Sequence, residues 1–290
     1  MFETFKSGIK SVNGVEISFV KAGKGPPVLL LHGFPQCKAL WAKVAPLLSK
    51  DYTVVCADLR GYGDSSKPEN KPDNMPYSFR EMARDQAELM MSLGYDRFHV
   101  VGHDRGGRVS HRMAKDFPDK ILSLTVMDIV PTLYLYDNTN QLSASTYWHW
   151  YFLIQPTPFP ETVINGDPDH FFETCLVGWG AASLTDFNPD QIAAYRTTWH
   201  DTKAVHAACN DYRAAATIDL EHDRADYKSM VQCPSLVMYG ATGAMGKMFD
   251  VPKTWKDQLA QMKSCPIEGG HFFIDEKPDE VARALKEFLG

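Results

Sequence analysis

The sequence of 290 residues is poor in cysteine and has no long run of apolar residues. Its six cysteines are scattered without the CxxC spacing of zinc and redox sites, so we interpret them as free or buried thiols of a reducing compartment. No apolar run approaches the roughly 20 residues that span a bilayer. The opening MFETFK lacks the basic-then-apolar order of a signal peptide. We therefore expect a cytoplasmic protein that does not enter a membrane.

Clusters of lysine or arginine are also missing. The chain has 30 basic and 36 acidic residues, and its net charge of -6 argues against nucleic acid as a partner. Internal repeats and low-complexity segments are absent too. By contrast, 44% of the residues are hydrophobic and 12% are aromatic, which is enough for a substantial core. The length fits one large domain with an insertion, or two small domains.

Short apolar runs alternate with helical patterns in the first half of the chain. The runs at 27–31, 52–57 and 121–128 are mostly continuous, which is typical of strands buried on both faces of a parallel sheet. Helical spacing is found at 40–48 and 78–93. This alternation of strands and helices predicts parallel βα units with right-handed crossovers, and thus an α/β fold.

The composition changes near residue 131. From there to about residue 232 the chain is rich in Trp, Tyr, Phe and Pro and has no buried-strand pattern. We interpret residues 132–232 as a helical cap, inserted into a core formed by residues 1–131 and 233–290. Such a cap covers the carboxyl ends of the strands, where open α/β sheets hold their ligands.

The strand pattern resumes in the last fifth of the chain. Residues 234–240 form an apolar run that predicts another buried strand. We expect a helix at 252–262, a short strand near Cys265 and a C-terminal helix at 278–289.

The stretch FHVVGHDRGGR at 98–108 has the layout of a nucleophile elbow. An apolar run ends at Gly102, two more glycines follow after three polar residues, and a helical stretch is predicted at 108–115. Glycines are needed in such a turn because it is strained and crowded. The residue at the apex is Asp104, whose carboxylate can displace a leaving group from saturated carbon without a base. The alternative is a helix-capping Asp in an ordinary turn.

An ester formed on Asp104 must be hydrolysed, which requires a base to activate water and a group to orient the base. His271 lies in EGGHF, after a late strand and before the last helix, where the base stands in the order nucleophile, acid, base. It could also be an ordinary loop histidine. The turn GATG at 240–243 contains no acid. Asp128, at the end of the strand after the elbow helix, and Asp250 are the candidates for the orienting acid, and we favour Asp128.

The sequence HGFP at 32–35 predicts part of an oxyanion hole. In this layout one backbone N–H comes from the loop after an early strand, and another from the residue after the nucleophile. The corresponding donors are the N–H groups of Phe34 and Arg105.

Together these motifs resemble the α/β-hydrolase superfamily along the whole chain, and within it the aspartate-nucleophile branch of haloalkane dehalogenases and epoxide hydrolases. The resemblance implies an α/β-hydrolase fold, with a mostly parallel sheet flanked by helices and a helical cap. Both groups usually carry Trp after the nucleophile, whereas this chain has Arg105 there and Arg108 one turn later. The stretch HDRGGR at 103–108 is similar to the haloacetate dehalogenases.

Two guanidinium groups beside the nucleophile, near a helix N-terminus, suit a small carboxylate. We expect Arg105 and Arg108 to bind the substrate carboxylate and to offset its repulsion by Asp104. The alternative is that one of these arginines pairs with a local acid such as Asp128 or Asp116.

The resemblance also implies that His149, Trp150 and Tyr212 of the cap receive the departing halide. Three N–H or O–H donors are a credible means of stabilising a concentrated charge such as fluoride. The aromatic cluster at 147–152 could instead be packing within the cap. Tyr212 does not discriminate between activities, because epoxide hydrolases have a similar Asn-x-Tyr-Arg stretch.

The resemblance implies hydrolysis of haloacetates, such as fluoroacetate and chloroacetate, to glycolate and halide through an aspartyl ester. It implies no metal or organic cofactor, a haloacid and a halide ion as the small-molecule partners, and a homodimer. One alternative is an epoxide hydrolase that uses the same Asp104 and His271. Arg105 argues against it, because a neutral epoxide gives a buried guanidinium nothing to pair with. The other is a non-catalytic binding protein, which would not need His271 or the oxyanion loop.

Overall fold

A mixed sheet of eight strands forms the centre of the computed structural model, which describes residues 1–179 and 183–290. Its spatial order is β1-β2-β4-β3-β5-β6-β7-β8. The strands are β1 (Lys6–Val12), β2 (Val15–Ala22), β3 (Pro27–Leu31), β4 (Thr53–Ala57), β5 (Phe98–His103), β6 (Ile121–Met127), β7 (Val231–Gly240) and β8 (Leu259–Ile267).

The first two strands run differently from the rest of the sheet. The pairs β1–β2 and β2–β4 are antiparallel, and all later neighbours are parallel. Strand β3 lies between β4 and β5, so the chain moves outward from β3 first to one side and then to the other. The carboxyl ends of β3 and β5 therefore flank the switch point of the sheet, the usual place for a ligand.

The helices form two outer layers and a cap. They are α1 (Ala45–Leu48), α2 (Phe79–Ser92), α3 (Arg105–Asp116), α4 (Thr132–Asp137), α5 (Gln141–Thr146), α6 (Trp148–Leu153), α7 (Phe159–Gly166), α8 (Pro168–Gly178), α9 (Pro189–Trp199), α10 (Thr202–Ala215), α11 (Ile218–Ala225), α12 (Ala244–Met248), α13 (Val251–Thr254), α14 (Phe273–Glu276) and α15 (Pro278–Leu289). Helices α2 and α3 pack on one face of the sheet, and α1 and α15 on the other.

Strand β3 illustrates why the central strands are continuous apolar runs. Leu29 and Leu31 belong to the core on the face covered by α2 and α3, while Val28 and Leu30 belong to the core on the opposite face. All four side chains are completely buried. Because successive side chains point to opposite faces, a strand covered by helices on both sides needs apolar residues at every position. The predicted α/β class is confirmed.

The long connection from β6 to β7 carries the cap. Its described residues form helices α4 to α11 and no strand. This agrees with the helical insertion expected at 132–232, although the limits of the cap as a domain stay a prediction. In the described part of the chain, no helix is long and apolar enough to cross a bilayer.

The predicted helix at 252–262 is wrong. Helix α13 ends at Thr254, and β8 begins at Leu259 and pairs in parallel with β7. Strand β8 is the last strand of the sheet, and most of its side chains are partly or fully exposed. It therefore lacks the apolar run that marks the central strands, and its pairing with β7 decides its conformation.

Candidate active site

The sheet brings the predicted catalytic residues together at its carboxyl edge. Asp104 follows β5, and its N–H donates to Met127 O at the end of β6 at 3.1 Å. Asp128 directly follows Met127, and the Asp128 N–H donates to Met238 O of β7 at 2.9 Å. His271 follows β8, which pairs with β7. Residues from three loops thus meet because parallel strands end at the same edge.

The turn at Asp104 is strained, as a nucleophile elbow requires. Asp104 has φ 48° and ψ -115°, and helix α3 begins at the next residue. A positive φ is unusual for any residue but glycine and costs about 1–3 kcal/mol. The turn is also crowded: a Cβ on Gly102 would lie 2.2 Å from Gly106 O. The predicted elbow is therefore present, although its helix begins three residues earlier than expected.

The Asp104 carboxylate is buried and has one free oxygen. Oδ1 accepts a hydrogen bond from the Phe34 N–H at 3.0 Å. No other described residue donates to this carboxylate, and no described cation pairs with it. Burial alone would raise the pKa of Asp104, but nearby positive groups, first His271 and His103 and then Arg105 and Arg108, lower it to about 2. The Asp104 carboxylate is thus ionised and has no cation paired with it among the described residues.

His271 pairs with Asp128 rather than with Asp250. The His271 Nδ1 and Asp128 Oδ2 are 2.6 Å apart, and Gly240 N–H donates to Asp128 Oδ1 at 2.8 Å. Burial acts to lower the pKa of His271, but its hydrogen bond to Asp128 and the attraction of Asp128 and Asp104 together outweigh burial and raise that pKa. His271 Nε2 has no partner among the described residues. Asp250 instead accepts from Lys253 N–H at 3.2 Å.

Arg105 pairs with an acid that the sequence did not indicate. Its Nε donates to Asp211 Oδ2 at 2.9 Å, and its Nη2 donates to Asp211 Oδ1 and to Asp211 O, the latter at 3.0 Å. Neither of the local acids considered above, Asp128 or Asp116, is its partner. The sequence argument that an epoxide would leave Arg105 unpaired is therefore wrong, because Asp211 already compensates its charge. Its role in substrate binding stays a prediction.

Arg108 is buried without a carboxylate partner among the described residues. Its Nη1 donates to Val130 O at 3.0 Å and to Thr132 Oγ1 at 2.9 Å, and its Nε has no partner there. The guanidinium carbon lies 4.6 Å from the centre of the Trp150 ring, a cation–π contact. Burial lowers the pKa of Arg108 to about 10, against the attraction of Asp104. An anion in this site would meet a cation that has no carboxylate partner among the described residues.

A narrow cavity of about 10 Å³ joins these groups beneath the cap. Asp104, Arg108 and His271 line it, together with the cap residues His149 and Trp150 and the following residues: Leu135, Tyr147, Trp179 and Met245. This volume is about the space that one water molecule needs, far below the range of about 300–1,000 Å³ that is usual for drug-sized ligands, so the site is tight and suits only a small molecule. Clefts of 660 and 550 Å³ open elsewhere on the surface, but neither includes Asp104 or His271.

Polar atoms without partners surround the cavity. Among the described residues, the His149 Nδ1 and the hydroxyls of Tyr147 and Tyr212 have none. Burial holds the pKa of His149 well below its ordinary value and those of both tyrosines well above theirs, so all three are neutral. Tyr212 does not line the cavity itself, and its ring packs edge-on against His149 at 5.6 Å between centres.

Comparison with known proteins places this geometry in a family. A model of the alpha/beta hydrolase fold matches residues 26–278. The chain belongs to the α/β-hydrolase family. Among the described residues of this α/β-hydrolase, no group of three His, Cys, Asp or Glu side chains could hold a metal ion.

Similar proteins include a dehalogenase and epoxide hydrolases. This α/β-hydrolase is 54% identical to the fluoroacetate dehalogenase of a Burkholderia species, over 100% of this chain and 95% of that protein. It is 30% identical to the soluble epoxide hydrolase of Corynebacterium strain C12, over 96% of this chain and 95% of that protein. A crystal structure from Nostoc sp PCC 7120, described provisionally as an α/β-hydrolase, has a TM-score of 0.98 at 46% identity, covering 100% of this chain and 99% of that one.

Sequence reasoning missed three residues of the site. Asp211 is the second residue of the NDYR stretch at 210–213, but nothing in the sequence connects it with Arg105. Tyr147 begins the aromatic cluster in the cap and lines the cavity. Trp179 stacks on His149 with 4.0 Å between ring centres, and no motif marks it. These residues reach the site through the docking of the cap on the core, which spacing along the chain does not reveal.

Proposed function

We propose that this α/β-hydrolase is a haloacetate dehalogenase, which converts fluoroacetate or chloroacetate and water to glycolate and halide through an ester on Asp104. One observation carries this proposal: an ionised, unpaired carboxylate and a buried cation without a carboxylate partner line the same small cavity. A haloacetate offers a group for each of them, a carbon open to displacement for Asp104 and a carboxylate for Arg108. The similarity to a fluoroacetate dehalogenase supports the same activity.

In the first step, Asp104 attacks the carbon that carries the halogen. Oδ1 is held by the Phe34 N–H, so Oδ2 is the attacking oxygen. A bond forms between Oδ2 and this carbon, the carbon–halogen bond breaks, and the halide leaves with the electron pair. Arg108 and Arg105 hold the substrate carboxylate and reduce its repulsion by the Asp104 carboxylate.

The departing halide needs donors, because its charge is concentrated. We assign this role to His149, Trp150 and Tyr212. The absence of described partners for His149 Nδ1 and the Tyr212 hydroxyl supports the assignment, since buried polar atoms are rarely left unpaired in a resting site. Each charge-assisted hydrogen bond contributes about 1.5–3 kcal/mol.

In the second step, water cleaves the ester. His271 Nε2 takes a proton from water, which attacks the ester carbon of Asp104, while Asp128 orients and stabilises the imidazolium. The backbone N–H groups of Phe34 and Arg105 stabilise the developing oxyanion. Arg105 is the first residue of α3, so its N–H has no acceptor within the helix. Collapse of the intermediate releases glycolate, which takes up the proton.

The epoxide hydrolase alternative uses the same Asp104 and His271. The argument against epoxide hydrolysis rests on Arg108 instead of Arg105, because a neutral epoxide would leave the buried Arg108 uncompensated. We also propose that the enzyme is cytoplasmic and a homodimer. The free state of all six cysteines is compatible with a reducing compartment.

Halide release tests the proposed function. We expect the wild-type enzyme to release fluoride from fluoroacetate and chloride from chloroacetate, and to leave styrene oxide intact. Asp104→Asn should abolish release, and Arg108→Ala should raise the KM by about 10- to 100-fold, because a charge-assisted hydrogen bond is lost. Arg108→Lys, which keeps the charge, is the matched control and should lose less. Styrene oxide hydrolysis without halide release would refute the proposal.

The covalent step can be trapped. His271→Ala should still undergo alkylation but not deacylation, so one carboxymethyl group should accumulate on Asp104 and appear in the intact mass. In wild-type enzyme, a single turnover in heavy-oxygen water should label Asp104 itself. Label found only in glycolate would exclude the ester mechanism.

A further inference from the structure

The pair formed by Arg105 and Asp211 has a geometry that goes beyond charge compensation. Both side chains are completely buried. Asp211 occupies the Nε and Nη2 edge of the guanidinium, and Asp211 Oδ2 also accepts from the Tyr62 hydroxyl at 2.7 Å. The planar group lies over the rings of Tyr212 and Phe79, at 4.2 and 4.7 Å from their centres. The orientation of the Arg105 guanidinium is therefore fixed at one edge by Asp211 and across its plane by the two aromatic rings.

One end of the Arg105 guanidinium remains available. Nη1 has no partner among the described residues and lies on the opposite side of the planar group from the edge held by Asp211. Buried donors are normally paired, so an unpaired one suggests a place for a ligand. Because the fork of Arg is rigid, fixing one edge also fixes the direction of the free nitrogen.

Asp211 also gives Arg105 a partner other than the nucleophile. Asp104 is the residue before Arg105, and the two side chains attract each other. A guanidinium bonded to both carboxylate oxygens would leave no free oxygen for attack. No such pair exists in the described structure, where Arg105 is bonded to Asp211 and Arg108 to Val130 O and Thr132.

We infer that Asp211 is a positioning residue, which holds Arg105 away from Asp104 with Nη1 free for the substrate carboxylate. This inference rests on the proposed haloacetate activity. Asp211 belongs to α10 of the cap and Arg105 to α3 of the core, so the binding of the carboxylate depends on how the cap docks. Asp211 touches no reacting atom and acts through Arg105.

The test uses Asp211→Asn, with acetate as an unreactive carboxylate and bromide as a halide, both titrated by tryptophan fluorescence. We expect acetate affinity to fall at least about tenfold, which corresponds to about 1.4 kcal/mol, while bromide affinity stays within about threefold. Equal losses for both ions would indicate general damage to the site and would overturn the inference. Tyr62→Phe removes only the hydroxyl that donates to Asp211 and should change acetate affinity by less than about threefold.

A double-mutant cycle separates positioning from a role independent of Arg105. If Asp211 acts through Arg105, Asp211→Asn should have no further effect on acetate affinity in an Arg105→Gln background. An additive loss would contradict the inference. Should Asp211→Asn fail to fold, Asp211→Glu keeps the charge on a longer arm and should still weaken acetate binding at least threefold. Wild-type affinity in that variant would overturn the inference.

Halide release by wild-type enzyme from chloroacetate is measured first. If none occurs, the proposed function fails. If release is normal and folded Asp211→Asn keeps wild-type acetate affinity, the inference about Asp211 fails alone.

Discussion

The charge states of two side chains set the conditions for catalysis at the residue scale. Asp104 has a pKa of about 2, so it stays ionised at any pH at which the protein is studied. The pKa of His271 is raised above its ordinary value by Asp128. The base must be neutral to accept a proton from water. Of these two side chains, His271 is therefore the one whose charge changes with pH during hydrolysis of the ester.

We predict that the rate of ester hydrolysis, measured by rapid quench in single turnovers, falls with decreasing pH along one limb of unit slope. The midpoint should lie above the ordinary imidazole value of about 6.5. Asp128→Asn should shift it to lower pH, because the interaction that stabilises the imidazolium is lost, and should reduce the maximal rate by about 100-fold. A slope of two in the pH profile, or an unchanged midpoint in Asp128→Asn, would contradict the assignment of His271 as the base.

At the scale of elements, the elbow depends on the close approach of α3 to the loop after β3. The N–H of Gly106 donates to His32 O at 2.9 Å. A Cβ at this position would lie 2.4 Å from His32 O and 2.6 Å from Leu31 O, both backbone atoms. That loop carries Phe34, whose N–H holds Asp104. The contact between the two elements therefore positions both the proposed nucleophile and its proposed oxyanion donor.

We predict that Gly106→Ala lowers the free energy of unfolding by about 1–3 kcal/mol, because the backbone must move to admit a methyl group. Activity should fall as well, since the loop that carries Phe34 would be displaced. Urea unfolding curves with unchanged slope give the measurement. The matched control is Gly166→Ala at the end of α7, where a Cβ would meet no atom within 4 Å, and it should stay within about 0.5 kcal/mol of wild type. Equal stability of the two variants would refute this account.

For the whole molecule, a buried carboxyl group joins the core to the cap. Asp275 in α14 accepts a hydrogen bond from Gln191 of α9 at 2.9 Å, and one from Gln36 in the loop after β3 at 3.3 Å. Burial raises the pKa of Asp275 to about 7. Between the ordinary aspartate value of about 3.9 and this value, the folded protein binds a proton that the unfolded chain does not. Stability from this group is therefore full at low pH and is lost as pH rises toward 7.

We predict that Asp275→Asn makes thermal stability less dependent on pH. The wild-type Tm should fall relative to that of the variant as pH rises from about 4 to 7, because unfolding of the wild type then releases a proton that the Asn side chain of the variant does not carry. The difference should be smallest near pH 4, where Asp275 is largely protonated in both the folded and the unfolded chain, and should stop growing above about pH 7. Asp119→Asn, at an exposed position, should follow the wild type throughout. A Tm difference that does not change with pH would contradict the prediction.

The sequence by itself determined the parts of the site that lie within short motifs. The elbow at Asp104, the HGFP loop and the position of His271 could be predicted because their chemistry depends on local backbone geometry, marked by glycines and apolar runs. The central strands could be predicted for the same reason, since burial on both faces leaves a continuous apolar run. Strand β8 could be predicted only as a short strand near Cys265, because an edge strand with exposed side chains carries no continuous apolar run.

Only the tertiary structure decided the contacts between segments far apart in the chain. It placed Asp128 rather than Asp250 against His271 because β6 and β7 are neighbours in the sheet. It paired Arg105 with Asp211, 106 residues away, because α10 of the cap lies over the elbow. This docking decides that the buried Arg105 has a carboxylate partner, whereas the buried Arg108 has none among the described residues. Charge compensation in the interior is a property of distance in space, which spacing along a sequence does not fix.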